Sequence, residues 1–277
     1  MKAFFILLIV IGALLHAQHA TAQKSSNLRS NRIQIAYVPP KNAAHETVFR
    51  LLKEQQVLEK LQQFLSPLRL PRALQLKVEG CDGVSNAWYE DDAITVCYEY
   101  LDDILQNAPQ ETTPAGVTRV DAIIGPTLEV FLHEVGHAVF DYLSVPIFGH
   151  EEDAADQFAT YILLQFGKSE ARRLLAGVAY TEKVEASKPS TKKNPFADEH
   201  SLPAQRLYNF LCLAYGADAK LFADVVEKGY LPQERAEICA DEYKQVSRAM
   251  TKLVQPYIDQ TLAKRVRAKQ WLRFDVQ

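Results

Sequence analysis

The chain has 277 residues, 48% of them hydrophobic and 23% charged, with a formal net charge of −3. That composition excludes disorder over most of the length and supplies apolar surface for a sizeable core. The charge becomes −4 if Lys2 is lost, too mild to attract a polyanion, so nucleic acid is excluded as a partner.

The first stretch, MKAFFILLIVIGALLHAQHATAQ, has one basic residue, an apolar run from Ala3 to Leu15 and a small-x-small site at Ala20, Thr21 and Ala22. This is the pattern of a secretory signal peptide over residues 1–22, cleaved after Ala22. The thirteen-residue apolar run falls short of the roughly 20 residues of a spanning helix, so no stable membrane anchor is expected. Residues 23–31 read as a flexible polar stretch, and the mature chain is expected to be secreted or periplasmic.

"RIQIAYVPP" alternates like a strand and stops at Pro39 and Pro40, and a helical segment follows over about residues 44–65. "ALQLKVEGC" reads as a second strand and "NAWYEDDAITVCYEY" as a hairpin turning at Glu90 to Asp92. Pro126, after Gly125, stands at a plausible first position of a helix that should end before Pro146. A second helix should start near Glu151, where acids favour the positive dipole end, and stop at Gly167. "EKVEASKPSTKKNPFADEH" reads as a solvated connector, and the rest to about Arg267 as three more helices. No repeat is evident. Strands early and helices late predict one α+β domain over residues 32–277, with a small, mostly antiparallel sheet.

Cys81, Cys97, Cys212 and Cys239 make an even count in an exported chain, which favours disulfides. The pairs 81 with 97 and 212 with 239 are favoured because each brackets a short segment. A zinc cluster is disfavoured because no CxxC pair exists.

The chemistry concentrates in "FLHEVGHAVFDYL". Histidines four apart share a helix face, so His133 and His137 can hold one cation. Glu134 projects at another angle, where it can take a proton from a water without binding the metal. Gly136 keeps the face beside the metal slim. The surrounding residues are apolar, and three polar side chains among them would be costly without a partner. Catalytic Zn2+ takes three protein ligands, and the third is sought in "GHEEDAADQFATYILLQFG". On a helix, Glu152, Asp156, Ala159 and Leu163 share the inner row, which favours Glu152 as ligand and Asp156 as an acceptor behind a ligand histidine. Glu151 is the alternative ligand, while Asp153 and His150 read as solvated.

HEVGH followed by EEDAAD resembles the gluzincin zinc metallopeptidases, whose zinc is held by the two histidines of HExxH and a later glutamate. The whole chain is similar to the bacterial DUF4344 metallopeptidases. The resemblance implies a zincin-like fold, His133, His137 and Glu152 as Zn2+ ligands, Glu134 as general base and Asp156 behind the ligands. "SNAWYEDDAITVCYEY" is similar to the edge strand of thermolysin-like enzymes, which implies that Asn86 and the main chain of Ala87 pair with an extended peptide or protein substrate. "HSLPAQR" is similar to an HPxxxxR segment and nominates His200 and Arg206 as donors to a developing oxyanion. Ser201 stands where that segment has proline. Together these features predict a zinc-dependent metallopeptidase. The alternatives are a non-catalytic, zinc-stabilised exported binding protein and a zinc amide hydrolase acting on cell-wall peptide.

Overall fold

A computed structural model describes residues 32–190, 193–269 and 271. The expected signal peptide and the polar stretch after it lie outside the described residues.

Four short strands form one sheet: β1 (Ile33–Tyr37), β2 (Leu74–Glu79), β3 (Ala87–Glu90) and β4 (Ala93–Cys97), in the spatial order β1-β2-β4-β3. In β2 every second residue is buried, Leu74, Leu76 and Val78, as a strand with one face on a core requires. β4 lies between β2 and β3, and Ile94 to Cys97 are buried without alternation. The class is α+β as expected. The sheet, however, is mixed, and two of its three ladders are parallel, β1 with β2 and β2 with β4. Only the β3–β4 hairpin is antiparallel, which corrects the mostly antiparallel sheet predicted above. The reason lies in the connection: α1 (Glu46–Glu54) and α2 (Val57–Leu65) carry the chain from β1 to β2, and a helical crossover returns a strand parallel to the one it left. These two helices are separated at Gln56, whose φ is 51°, so the single segment expected over 44–65 is broken.

The helical remainder comprises α3 (Tyr98–Asn107), α4 (Arg119–Leu143), α5 (Glu151–Leu163), α6 (Lys168–Ser187), α7 (Pro203–Ala217), α8 (Ala223–Glu227), α9 (Gln233–Ala249) and α10 (Gln260–Arg267). α4 is the spine. It packs against α5, α6 and the β3–β4 hairpin, and Phe131, Leu132, Val135 and Val139 on it are fully buried. It starts seven residues before Pro126, which lies inside the helix. The start is set by a capping box in which Thr118 Oγ1 accepts from the Asp121 amide at 3.1 Å and Asp121 Oδ2 accepts from the Thr118 amide at 3.3 Å.

α5 ends at Leu163 rather than Gly167, and Gly167 caps the start of α6. α6 was not anticipated from the sequence. It extends through Glu182, so the first residues of the expected connector are helical and Glu182 is buried. At Gly177 a Cβ would lie 1.9 Å from the Asp121 carbonyl oxygen, so α6 touches α4 at a distance only glycine permits. Both expected disulfides are present, Cys81–Cys97 and Cys212–Cys239. No helix among the described residues is long and apolar enough to cross a membrane.

Candidate metal centre

Two helices build the centre. α4 supplies His133 and His137, and α5 crosses it with Glu151, Glu152 and Asp156 on the facing side. Close approach depends on Gly136, where a Cβ would stand 3.3 Å from Ala155 Cα and 3.4 Å from Phe158 Cβ. The glycine therefore admits α5 itself, and through it brings Glu152 to the histidines.

Three donor atoms converge. His133 Nε2 and His137 Nε2 are 3.2 Å apart, and Glu152 Oε2 is 3.0 Å from the first and 3.4 Å from the second. Donors at about 2.0 to 2.1 Å from a tetrahedral cation stand about 3.3 Å from one another, so the donor set and its spacing fit a small divalent ion. Each imidazole is held from behind. His133 Nδ1 lies 2.8 Å from Asp156 Oδ1, and His137 Nδ1 lies 2.9 Å from Glu151 Oε1. With both Nδ1 atoms engaged by acids, both Nε2 atoms are directed at the common point. The Glu151 oxygen thus faces the rear of His137, and Glu152 Oε2 occupies the front.

His200, reaching in from the segment before α7, places Nε2 2.9 Å from the same Glu152 oxygen, with its ring stacked on that of His133 at 6.0 Å between centroids. Burial pushes the Glu152 carboxyl up, but the three imidazoles outweigh it and hold the group far below the usual carboxylate range. Burial also pushes the His133 imidazole down, and Asp156 and Glu152 reverse this and bring it up to about 10. Glu134, next to His133 on α4, is buried; desolvation raises its pKa, with His133 and His137 opposing.

Arg206 differs from its expected place. The sequence nominated it as a donor on the substrate side, but its guanidinium is buried behind Asp156. Its Nε and Nη2 donate to the two Asp156 oxygens at 2.7 and 2.8 Å, and Nη1 is 3.1 Å from Glu182 Oε1. Each guanidinium nitrogen thus faces a carboxylate of α5 or α6. Burial raises the Asp156 carboxyl, and Arg206 and His133 bring it down to about 2. Asp153 is half-buried rather than solvated, and accepts a hydrogen bond from Ser201 Oγ at 2.7 Å. His150 is exposed, as expected.

Glu129 and Glu182, both buried beside Arg206, escaped the sequence reading. Each carried a signal. Glu129 stands four residues before His133 in the same apolar run, and Glu182 stands four after the buried Val178, on the inner face of α6.

The edge strand of the sheet lies against the helix that carries both histidines. β3 is the terminal strand of the sheet and packs against α4, where Tyr89 Oη donates to Asp141, one turn beyond His137, at 2.6 Å. The Asn86 carbonyl accepts from the Cys97 amide at 3.1 Å, so Asn86 turns its main chain inward to β4. Antiparallel ladders alternate, so one residue on the Ala87 N–H and C=O face the outer edge. The loop before β3 is fixed by Cys81–Cys97 and by the Glu99 carboxylate, which accepts from the Cys81 and Gly83 amides.

A family model, DUF4344, whose description reads "Putative metallopeptidase", matches residues 37–254. The chain belongs to the DUF4344 family. The matched span contains the whole donor set, the acids behind it, His200, Arg206 and the edge strand. Membership implies a metal and a hydrolase acting on peptides, and the His/Glu cluster is a place for that metal. Comparison with curated proteins and with solved structures gives no match.

Proposed function

We propose that this DUF4344 chain is a zinc-dependent, gluzincin-like metallopeptidase with His133, His137 and Glu152 as ligands and Glu134 as general base. The observation that carries the reading is the mutual spacing of the three donor atoms, 3.0 to 3.4 Å, with both histidines held from behind by acids. Zn2+ bound there supplies Lewis acidity to a water and to the scissile carbonyl. Glu134 takes the proton from the attacking water and hands it to the leaving amine. Its raised pKa suits that double role, because a carboxyl with higher proton affinity accepts more readily at neutral pH.

The substrate is an extended segment of peptide or protein, pairing with the outer edge of β3 through the Ala87 main chain, with the exposed Asn86 side chain beside it. His200, half-exposed at the rim, donates to the oxyanion that develops on the carbonyl. The two disulfides fit an oxidising compartment, and together with the N-terminal pattern they support export of the mature chain.

The test compares purified mature protein with its Glu134→Gln variant on a mixed fluorogenic peptide library, with zinc content measured in parallel. The expected result is full zinc occupancy in both and turnover lower by about 10² to 10⁴ in the variant. Equal turnover would remove Glu134 from its role. Zinc binding with no hydrolysis of any peptide by the wild type would favour the binding-protein alternative.

A further inference from the structure

Behind His133 the chain buries more charge than a ligand histidine requires. Asp156 alone can hold its Nδ1, yet Asp156 is gripped through both oxygens by Arg206, and Arg206 in turn by Glu182 from α6. Glu129, one turn before His133 on α4, lies 3.5 Å from Arg206 Nη2 through an oxygen, Oε1, that has no hydrogen-bond partner among the described residues. The three acids are buried, Glu129 4% exposed, Glu182 6% and Asp156 7%, and Arg206 is half-buried, its side chain 19% exposed. Removing an arginine and three acids from water carries a large desolvation cost, and apolar residues of like volume would serve packing as well or better. A cluster of this kind is therefore explained by what it orients.

The segment before α7 and the first turn of α7 meet α5 at three points: His200 at Glu152, Ser201 at Asp153 and Arg206 at Asp156. These contacts fall on the helix that carries the third ligand and on the acid that aims the first. A bidentate fork on a carboxylate fixes its plane as well as its position, which a lysine ammonium does not do.

We infer that Arg206 is a positioning residue: anchored by Glu182, it fixes the Asp156 carboxylate, and through it the His133 ring and the α5 register that together set the metal geometry. The inference rests on the metal-site reading above and replaces the substrate contact expected for Arg206 from sequence. Glu182 is its counterweight on α6, so three helices, α5, α6 and α7, meet at one guanidinium. Glu129 closes the fourth side from α4.

The test uses the full mature chain and its Arg206→Lys, Arg206→Met and Glu182→Gln variants, at pH 8. Zn2+ affinity is measured by chelator competition, the d–d bands are recorded after Co2+ loading, and the thermal midpoint is taken in EDTA. Arg206→Lys should weaken Zn2+ binding by about 10- to 100-fold, the range for partners behind metal ligands, and shift the Co2+ bands while the metal-free chain stays folded. Glu182→Gln leaves Asp156 paired, guards against a misfolded Arg206→Met, and should weaken binding by less than about 10-fold, the lower bound for a group directly behind a ligand. Wild-type Zn2+ affinity and unchanged Co2+ bands in both Arg206→Lys and Glu182→Gln would overturn the inference. So would affinity losses that merely track the metal-free thermal midpoint. If the wild type binds neither ion, the metal-site reading falls and takes this one with it.

Discussion

Gly136 is the position where packing and metal chemistry are most directly coupled. Its missing Cβ would meet Ala155 Cα at 3.3 Å and Ala155 Cβ and Phe158 Cβ at 3.4 Å. Gly136→Ala adds one methyl at the tight limit of contact. α5 must give by a few tenths of an ångström, while the helix gains about 1 kcal/mol of propensity, so the net change in stability should be within about 1 kcal/mol. Gly136→Val adds two further carbons beside a Cβ position already at the tight limit against Ala155 and Phe158. Overpacking of this kind costs about 1 to 3 kcal/mol, a fall of about 2 to 12 °C in the midpoint of the metal-free protein. The displaced helix carries Glu152, and metal bonds tolerate only about 0.2 Å. Zn2+ affinity should therefore fall by at least about 10-fold in the valine variant, equivalent to about 1.4 kcal/mol, and much less in the alanine variant. Thermal unfolding in EDTA and chelator competition read the two effects separately. A valine variant that binds Zn2+ as tightly as the wild type would refute the claim that the α4–α5 approach at Gly136 sets the site.

Three further outcomes follow from other parts of the molecule. Replacing Cys81 and Cys97 by serine opens a loop of sequence separation 16 and should cost about 3 kcal/mol of stability; because that loop leads into β3, KM for peptides should rise while zinc content stays at the wild-type level. Glu182 is pushed up by burial, against Arg206, from 4.5 to about 7, so between those values the folded chain holds a proton that the unfolded chain releases. Burial raises Glu129 to about 7 as well, so stability of the metal-free protein should fall as pH rises through this window, with at most about 3 kcal/mol from Glu182, and Glu182→Gln should make that slope shallower in urea titrations from pH 5 to 8. Intact mass of protein recovered from the exported fraction should correspond to a chain starting at Gln23; a mass retaining residues 1–22 would refute signal-peptide cleavage.

The parts of the fold legible in the sequence are those whose signal is local. The HExxH spacing placed two imidazoles on one face of α4, and the inner row of α5 singled out Glu152 and Asp156, because helical periodicity alone decides which side chains share a face. The disulfides were legible for a similar reason, since each closes a short loop. The direction of β1 and β2 was not, because a parallel ladder is set by the crossover between strands and leaves no mark within either one. Pro126 suggests a helix start because proline is favoured there, while the capping box of Thr118 and Asp121, eight and five residues earlier, is the stronger signal. Glu182 falls in what reads as a solvated connector, and Arg206 in a segment that points to the substrate side. They meet only because four helices bring three acids and one guanidinium to a single point, a long-range coincidence that periodicity does not encode.

The central claim is that one divalent cation sits among His133, His137 and Glu152. Anomalous diffraction at the zinc edge, from crystals of the mature protein grown with one equivalent of Zn2+, tests it most directly. The account predicts a single strong peak about 2.0 to 2.2 Å from His133 Nε2, His137 Nε2 and a Glu152 carboxylate oxygen. A map with no peak there, or with the ion bound by Glu151 and not Glu152, would contradict it.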